Sequence, residues 1–208
     1  MVQVDMIKNF LKLPLFVVFL TTASILKADP YSLANISQYL KNLKILKADF
    51  SQINADGTIS SGTILIKRPG RMRFEYYTPD KTLVLVSAGA LAIFDPKGDD
   101  APVTYPIKNN PISLILKGEV DLLNSGILEN YKMSTGQAVV KIRDPEKPEH
   151  GSVELVFTGA TPELEKFTVQ NENGLSTSIT LEDIEYPEKI NDTLFSIPLE
   201  INKSKRKN

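Results

Sequence analysis

The spacing of apolar residues changes once along this chain, and that change constrains the fold more than any other feature. Between Tyr31 and Lys47, apolar residues recur every three or four positions, which predicts an amphipathic helix. Beyond it they alternate, and turn signals such as Asp56-Gly57 and Asn173-Gly174 separate the alternating stretches. This pattern favours a helix followed by antiparallel strands and is not typical of alternating strands and helices. The predicted strands are Ala48–Asn54, Thr58–Lys67, Arg71–Thr78, Thr82–Ser87, Leu91–Asp95, Tyr131–Ser134, Ala138–Arg143, Ser152–Thr158, Glu165–Gln170, Ser176–Tyr186 and Leu194–Ile197.

The alternation stops between residues 95 and 131. Residues 110–118 predict a short helix, with Asn110 as its N-cap, Pro111 in the first turn and Gly118 just past the end. Its apolar residues surround nearly the whole helix, so it requires burial. We interpret this segment as a lid over a concave sheet, or as a cap that plugs one end of a barrel. The apolar residues are Ile112, Leu114, Ile115 and Leu116.

Two predicted strands are apolar on both faces, at Ile64-Leu65-Ile66 and at Leu83-Val84-Leu85-Val86. The sheet is therefore expected to be covered on both sides there, by the first helix and the lid. Between Arg71 and Tyr77, by contrast, apolar Met72 alternates with Arg73, so Arg73 is expected to face water. Periodicity leaves open whether the space between sheet and lid is packed solid or holds a ligand.

The first 28 residues have the order of a secretory signal. Lys8 and Lys12 precede an apolar run, which ends in small residues with possible cleavage after Ala28 or Ala23. A short membrane anchor that stays attached is the alternative. We expect residues 1–28 to be a signal peptide and residues 29–208 to form a single domain.

Composition excludes several classes of function. The 24 Lys plus Arg residues nearly balance 25 Asp plus Glu residues, which argues against nucleic acid as a partner. The absence of Cys rules out disulfides, thiolate metal sites and a lipid anchor on an N-terminal cysteine. His150, the single histidine, lies in a proline-rich turn without a nucleophile motif. No cofactor, metal site or catalytic residue is expected; the alternative is a hydrolase that uses an unrecognised serine and a carboxylate.

Several stretches resemble the periplasmic outer-membrane lipoprotein carrier (LolA-type) family, and together they cover nearly all of the chain after residue 28. The strongest are Ala48-Asp49-Phe50-Ser51-Gln52, the run from Gly62 through Lys67-Arg68-Pro69 to Phe74, Thr78-Pro79-Asp80, and Leu91-Ala92-Ile93-Phe94-Asp95. Weaker matches are Asn110–Lys117 and the closing Leu194-Phe195-Ser196-Ile197-Pro198. The sequence departs from the family at Leu65, Phe74 and Ile93, where the family often has Trp. The tail after Pro198 is short, so we expect no additional strand or helix there.

The resemblance implies a mainly β fold with an α lid: an unclosed antiparallel β-barrel, or half-barrel, covered by helices over a hydrophobic cavity. It also implies a monomeric periplasmic carrier that takes the acyl chains of lipoproteins from an inner-membrane lipoprotein-releasing transporter to an outer-membrane acceptor. The alternative is a half-barrel sensor or interaction module that binds a protein partner without transporting lipid. Arg68 matches the basic residue before proline that ties down the lid. The expected cavity residues are Phe50, Leu65, Met72, Phe74, Tyr76, Leu83, Leu85, Ile93, Ile112, Ile115 and Leu116.

Overall fold

The computed structural model describes residues 29–77, 79–96 and 101–206, so the predicted signal sequence lies outside the described residues. Two helices, α1 (Leu33–Asn42) and α2 (Ile197–Lys205), flank the strands. No helix in the described ranges has the length and apolar character needed to span a membrane. The strands are β1 (Ile45–Ile53), β2 (Ile59–Lys67), β3 (Arg71–Tyr76), β4 (Leu83–Ser87), β5 (Ala90–Phe94), β6 (Val103–Pro106), β7 (Leu128–Ser134), β8 (Gln137–Arg143), β9 (Ser152–Thr158), β10 (Glu163–Gln170) and β11 (Ser176–Glu185).

All eleven strands form one antiparallel sheet in the order β6-β5-β4-β3-β2-β1-β11-β10-β9-β8-β7. Strands β1 and β11 pair with each other and so join two meanders. At the two ends of this order, β6 and β7 are not paired with each other in the described part of the chain. The structure therefore confirms a mainly β fold with an unclosed antiparallel sheet. The short strand β6 was not predicted.

Helix α1 is shorter than predicted. It begins after Ser32, whose side chain accepts a hydrogen bond from the Asn35 backbone N–H, and it buries Ile36 and Leu40 completely. It ends at Asn42 rather than Lys47, because Leu43 is already extended and β1 begins at Ile45. Since Leu43 and Leu46 fit both helical spacing and strand alternation, the pattern alone placed this boundary too late.

The inner face of one half of the sheet is densely packed. Residues 110–118, which we call the inserted segment, contribute Leu114, Ile115 and Leu116 to this core, each at most 3% exposed. The 3-10 helix Pro111–Leu114 contacts β8, β9 and β10. The opposing strand residues, all 0% exposed, are Ala138, Val140, Ile142, Val153, Leu155, Phe157 and Phe167.

The inserted segment is a single 3-10 turn followed by irregular backbone, not the predicted helix over residues 110–118. Asn110 caps it as predicted, because its side chain accepts a hydrogen bond from the Ile112 N–H at 3.0 Å. The Leu116 carbonyl accepts a hydrogen bond from the Gly70 N–H at 2.8 Å, so the inserted segment is attached to the β2–β3 turn.

The outer face of β3 to β5 is covered by the C-terminal segment, residues 190–206. A 3-10 helix at Asp192–Phe195 and then α2 replace the predicted strand at Leu194–Ile197, and the expectation of no helix after Pro198 is wrong. Ser196 caps α2, with Pro198 in its first turn. The side chains buried by this contact include Leu85 and Ala92 at 0%, Phe195 at 1% and Arg73 at 8% exposure.

Basic residues of β2 and β3 hold this C-terminal segment in place. Arg73 Nη1 donates to the Leu194 carbonyl at 2.8 Å and lies 3.3 Å from Oε1 of buried Glu200. Lys67 Nζ and Arg71 Nη1 both lie 2.5 Å from Oδ1 of Asp192. The Lys67 hydrogen bond keeps the pKa of Asp192 below its usual range. Arg73, expected in water, is thus a buried anchor.

Gly62 permits a close approach between β2 and its neighbours. A Cβ atom at this position would lie 2.0 Å from the Glu75 carbonyl oxygen and 2.9 Å from Cε1 of Phe50. The Phe50 ring packs edge to face with Phe74 and Tyr76, at 5.2 Å between centroids in both cases. A side chain at residue 62 would therefore displace the Glu75 backbone and the Phe50 ring.

We expect Gly62→Ala to lower the free energy of unfolding by about 1–3 kcal/mol, because the added methyl overpacks the site. The measurement is urea denaturation. The matched control is Gly118→Ala, since its Cβ would meet nothing closer than the Pro69 Cβ at 3.7 Å. The control should stay within about 0.5 kcal/mol of the parent. Equal stability of the two variants would contradict the close approach at Gly62.

Candidate functional site

A cavity of about 610 Å³ lies on the inner face of the sheet, beside the inserted segment. One wall is apolar and comes from β3, β4 and β5: Met72, Phe74, Val84, Val86, Leu91 and Ile93. The opposite wall includes Val169 of β10 and Ile179 of β11, and Ile112 of the inserted segment lies alongside. The cavity thus lies between the two halves of the sheet.

Curvature of the sheet brings these two walls together. Six strand spacings separate Ile93 on β5 from Val169 on β10. In a flat sheet these residues would lie roughly 29 Å apart, at about 4.8 Å per strand. Because both line one cavity, the sheet must bend into a half-barrel.

Uneven coverage explains why a cavity exists at this position. The inserted segment packs its apolar residues against β8, β9 and β10, so it leaves part of the inner face of β4 and β5 uncovered. Val84, Leu91 and Ile93 are consequently only half-buried, although they are apolar and face inward. An apolar surface of this kind favours an apolar ligand.

A chain of hydrogen bonds runs from the cavity to the β1–β2 turn. Tyr76 Oη donates to Gln52 Oε1 at 2.8 Å, and Gln52 Nε2 donates to Asn54 Oδ1 at 2.6 Å. Asn54 Nδ2 in turn donates to Thr58 Oγ1 at 2.9 Å. Burial raises the pKa of Tyr76, so its hydroxyl stays protonated and available as a donor. Sequence reasoning missed Gln52 and Asn54, although they continue the inward-facing phase of Phe50 along β1.

Five of the expected cavity residues are brought together around the cavity: Met72, Phe74, Tyr76, Ile93 and Ile112. Phe50 lies one layer behind and supports the aromatic rings of Phe74 and Tyr76. Ile115 and Leu116 belong to the packed core and do not border the cavity.

Leu65, Leu83 and Leu85 lie on the opposite face of the sheet, which corrects their assignment to the cavity. Both Leu65 and Leu85 pair with Arg73 of β3, and paired residues share a face. Leu83 is two residues from Leu85 on the same strand and shares that face. The sequence shows that both faces are apolar here but does not show which one borders a cavity.

Arg68 is buried, with 6% of its surface exposed, beneath α1. Its Nη1 donates to the Leu40 carbonyl at 2.5 Å, and its Nε has no partner within the described residues. Burial lowers the pKa of Arg68 to about 10, which leaves it charged at neutral pH. We expected Arg68 to tie down the lid, but its side chain donates a hydrogen bond to α1 and none to the inserted segment. The inserted segment is held by the backbone of nearby Gly70 instead.

A second cavity of about 590 Å³ lies at the other end of β1, between the end of α1 and residues 186–188. The hydroxyls of Tyr39 and Tyr186 lie 2.9 Å apart, and Tyr186 donates to Glu163 at 2.9 Å. Burial raises the pKa of Tyr39 and of Tyr186. None of the expected site residues borders this second cavity.

Comparison with known proteins gives this geometry a context. The family model described as "Outer membrane lipoprotein carrier protein LolA" matches residues 41–198. An outer-membrane lipoprotein carrier protein of Dechloromonas aromatica is 32% identical over 160 residues, which cover 72% of this chain and 75% of that protein. One of Coxiella burnetii is 31% identical over 114 residues, or 50% and 54% of the two chains, so the chain spans about half the length of that relative.

A solved LolA superfamily protein from Nitrosomonas europaea has a TM-score of 0.41 at 10% identity, over 79% of this chain and 97% of its own. The family model runs from the end of α1 into the first turn of α2 and so includes the whole sheet. The chain belongs to the LolA family of outer membrane lipoprotein carrier proteins.

Proposed function

We propose that this protein binds the acyl chains of lipoproteins in the cavity beside the inserted segment and carries them from the inner to the outer membrane. The observation that supports this most directly is the apolar wall of β3 to β5, which faces a cavity of about 610 Å³. That volume lies within the roughly 300–1,000 Å³ of ligand pockets in general.

The hydrophobic effect provides the driving force for such a carrier. Each buried methylene contributes about 0.8 kcal/mol, so an acyl chain of roughly fifteen methylenes gains on the order of 12 kcal/mol on leaving water. Binding requires no covalent step, and the proposed role is that of a carrier rather than an enzyme. Cargo must also be released, so part of the binding energy has to be opposed by closure of the protein.

The β2–β3 turn is suited to provide that opposition. Arg68 holds α1 through the Leu40 carbonyl, and Gly70 holds the inserted segment through Leu116. We propose that these contacts stabilise a closed state with less room for lipid, and that cargo binds to a more open state. The covering elements then act as the lid that the sequence predicts.

The proposed setting is the periplasm. Residues 1–28 would direct export and be removed, leaving residues 29–208 as the carrier. Its partners would be a lipoprotein-releasing transporter at the inner membrane and a lipoprotein acceptor at the outer membrane. The names of the relatives from Dechloromonas aromatica and Coxiella burnetii support this assignment.

Filling the cavity should block binding. We expect Val84→Phe to weaken binding of a fluorescent fatty-acid analogue about tenfold, because the larger ring occupies space that the acyl chain needs. Leu83→Phe is the matched control, since Leu83 is also half-buried but lies on the opposite face.

Both variants should be compared by displacement titration and by release of a lipoprotein from inner membranes that contain the releasing transporter. Loss of binding in both variants, or in neither, would place the lipid elsewhere in the protein. Failure of the parent protein to bind the analogue or release the lipoprotein would reject the carrier function.

Removing the Arg68 contact should make the protein hold cargo more tightly. If Arg68 stabilises the closed state, Arg68→Leu raises the fraction of open protein and lowers the apparent Kd several-fold. The fold should persist, because the change removes a buried cation that has one unpaired nitrogen. The measurement is the rate at which bound lipid transfers to acceptor vesicles.

Arg68→Lys is the control for this variant, because it keeps a cationic donor near the Leu40 carbonyl. It should transfer lipid at close to the parental rate. Slower transfer from Arg68→Leu alone would support a role for the Arg68–Leu40 contact in closing the protein. Parental transfer rates in both variants would contradict that role.

A further inference from the structure

The cavity has a polar wall as well as an apolar one. Beside the β1–β2 and β10–β11 turns it is lined by Gln52, Asn54, Tyr76, Asn110, Asn171 and Thr177. Three of these are asparagines and one is a glutamine, so the wall is rich in uncharged amides. Amide nitrogens can donate hydrogen bonds to carbonyl oxygens of a ligand.

Two of the asparagines have free donors. The Asn110 Oδ1 accepts from the Ile112 N–H, and the Asn171 Oδ1 accepts from the Asn173 and Leu175 N–H groups, all at 3.0 Å. The Nδ2 atoms of these two asparagines donate no hydrogen bond to any group within the described residues. Because the oxygens are fixed by the backbone, the remaining hydrogen-bonding capacity of both side chains is donor capacity.

The charge of the cavity wall disfavours ligands that carry an anionic phosphate. Among the described residues that line the cavity there is no Lys or Arg, and Asp56 is the single charged residue. Hydrogen bonds from Thr58 keep the pKa of Asp56 below its usual range, so this carboxylate is ionised at neutral pH. An anionic phosphate would meet a negative charge and no cation, although phosphates are normally bound by Arg or Lys.

The apolar and donor groups are adjacent along the chain. Asn110 lies two residues before Ile112, and Asn171 lies four residues before Leu175, and both apolar residues also border the cavity. Because Asn110 and Asn171 line the same cavity as the apolar wall of β3 to β5, an acyl chain bound there can present its linking carbonyl to these donors. An ester or amide carbonyl is an acceptor only, and it matches this wall.

We propose that Asn110 and Asn171 bind the uncharged ester and amide carbonyls that link acyl chains to a lipid's head, so that the cavity selects uncharged diacyl lipids over anionic phospholipids with the same chains. This rests on the proposed function and adds a basis for specificity. The shared chemistry is found in diacyl lipopeptides and in diacylglycerols.

The test uses Asn110→Asp, Asn171→Asp and the double variant. Aspartate keeps the acceptor oxygen that caps each turn, removes the amide donor and adds a negative charge. Asn191→Asp is the matched control, because Asn191 also caps a 3-10 helix, by accepting from the Thr193 N–H at 3.0 Å, and does not border the cavity.

The probes are a dipalmitoyl lipopeptide with an uncharged peptide, one palmitoyl chain on an ester and the other on the N-terminal amide, together with dipalmitoylglycerol, dipalmitoyl phosphatidylglycerol and the headless apolar dye N-phenyl-1-naphthylamine. We expect the parent protein to bind both uncharged lipids at least tenfold more tightly than phosphatidylglycerol. The double variant should bind the uncharged lipids roughly tenfold more weakly, through loss of donor hydrogen bonds, and bind the dye normally. Asn191→Asp should match the parent for every probe.

The two uncharged lipids distinguish the sources of the carbonyls. Tighter binding of the lipopeptide than of dipalmitoylglycerol would show that the amide carbonyls contribute, and equal binding would assign recognition to the esters alone. Asp56→Asn provides an independent check, because it should raise the affinity for phosphatidylglycerol several-fold and leave dye binding unchanged.

Equal affinity of the parent protein for phosphatidylglycerol and the lipopeptide would overturn this inference, as would parental lipopeptide binding by the double variant. Either result, with normal dye and lipid binding, leaves the proposed carrier function standing. If the parent protein binds neither the dye nor any lipid, the proposed function fails and the selectivity fails with it.

Discussion

The structure depends on unequal coverage of one curved apolar surface. Leu114, Ile115 and Leu116 of the inserted segment are committed to the core over β8, β9 and β10. On the inner face of β4 and β5, by contrast, Val84 and Ile93 are only half-buried and border a cavity. Protein interiors are otherwise packed at crystal-like density. An apolar wall without packing partners loses dispersion contacts, and a hydrocarbon ligand restores them.

The opposite, outer face of the same strands is covered by the C-terminal segment. The C-terminal segment buries Phe195 against the outer side of the sheet, and Arg73 with Glu200 forms a buried ion pair there. A strand can be apolar on both sides only if both sides are covered. The outer cover is fixed by charge and by packing, whereas the inner cover leaves space. The cavity therefore borders the inner face of the sheet and not the outer one.

Sequence periodicity predicts most of this fold, because alternation and turn residues depend on local backbone geometry. The family resemblance added the hydrophobic cavity, whereas the lid-closing role that it implies for Arg68 remains a proposal. Periodicity could not locate the end of α1, since Leu43 and Leu46 fit both helix and strand spacing. It also could not assign Leu83 and Leu85, because a strand that is apolar on both faces looks the same whichever face borders a cavity. The C-terminal helix was missed because Leu194 and Phe195 suggest a strand, and its burial depends on residues more than a hundred positions away, including Arg73.

The turn between β2 and β3 fastens two separate covers. The Arg68 side chain donates a hydrogen bond to α1, and the Gly70 backbone donates one to the inserted segment. A single residue separates the two donors in the sequence. A displacement of either cover therefore strains the attachment of the other. If the protein opens to admit cargo as proposed, this shared anchorage would couple the two covers, and opening would be concerted. A lipid with several acyl chains would then bind or dissociate with all its chains together, without an intermediate in which one chain is released and another is still bound.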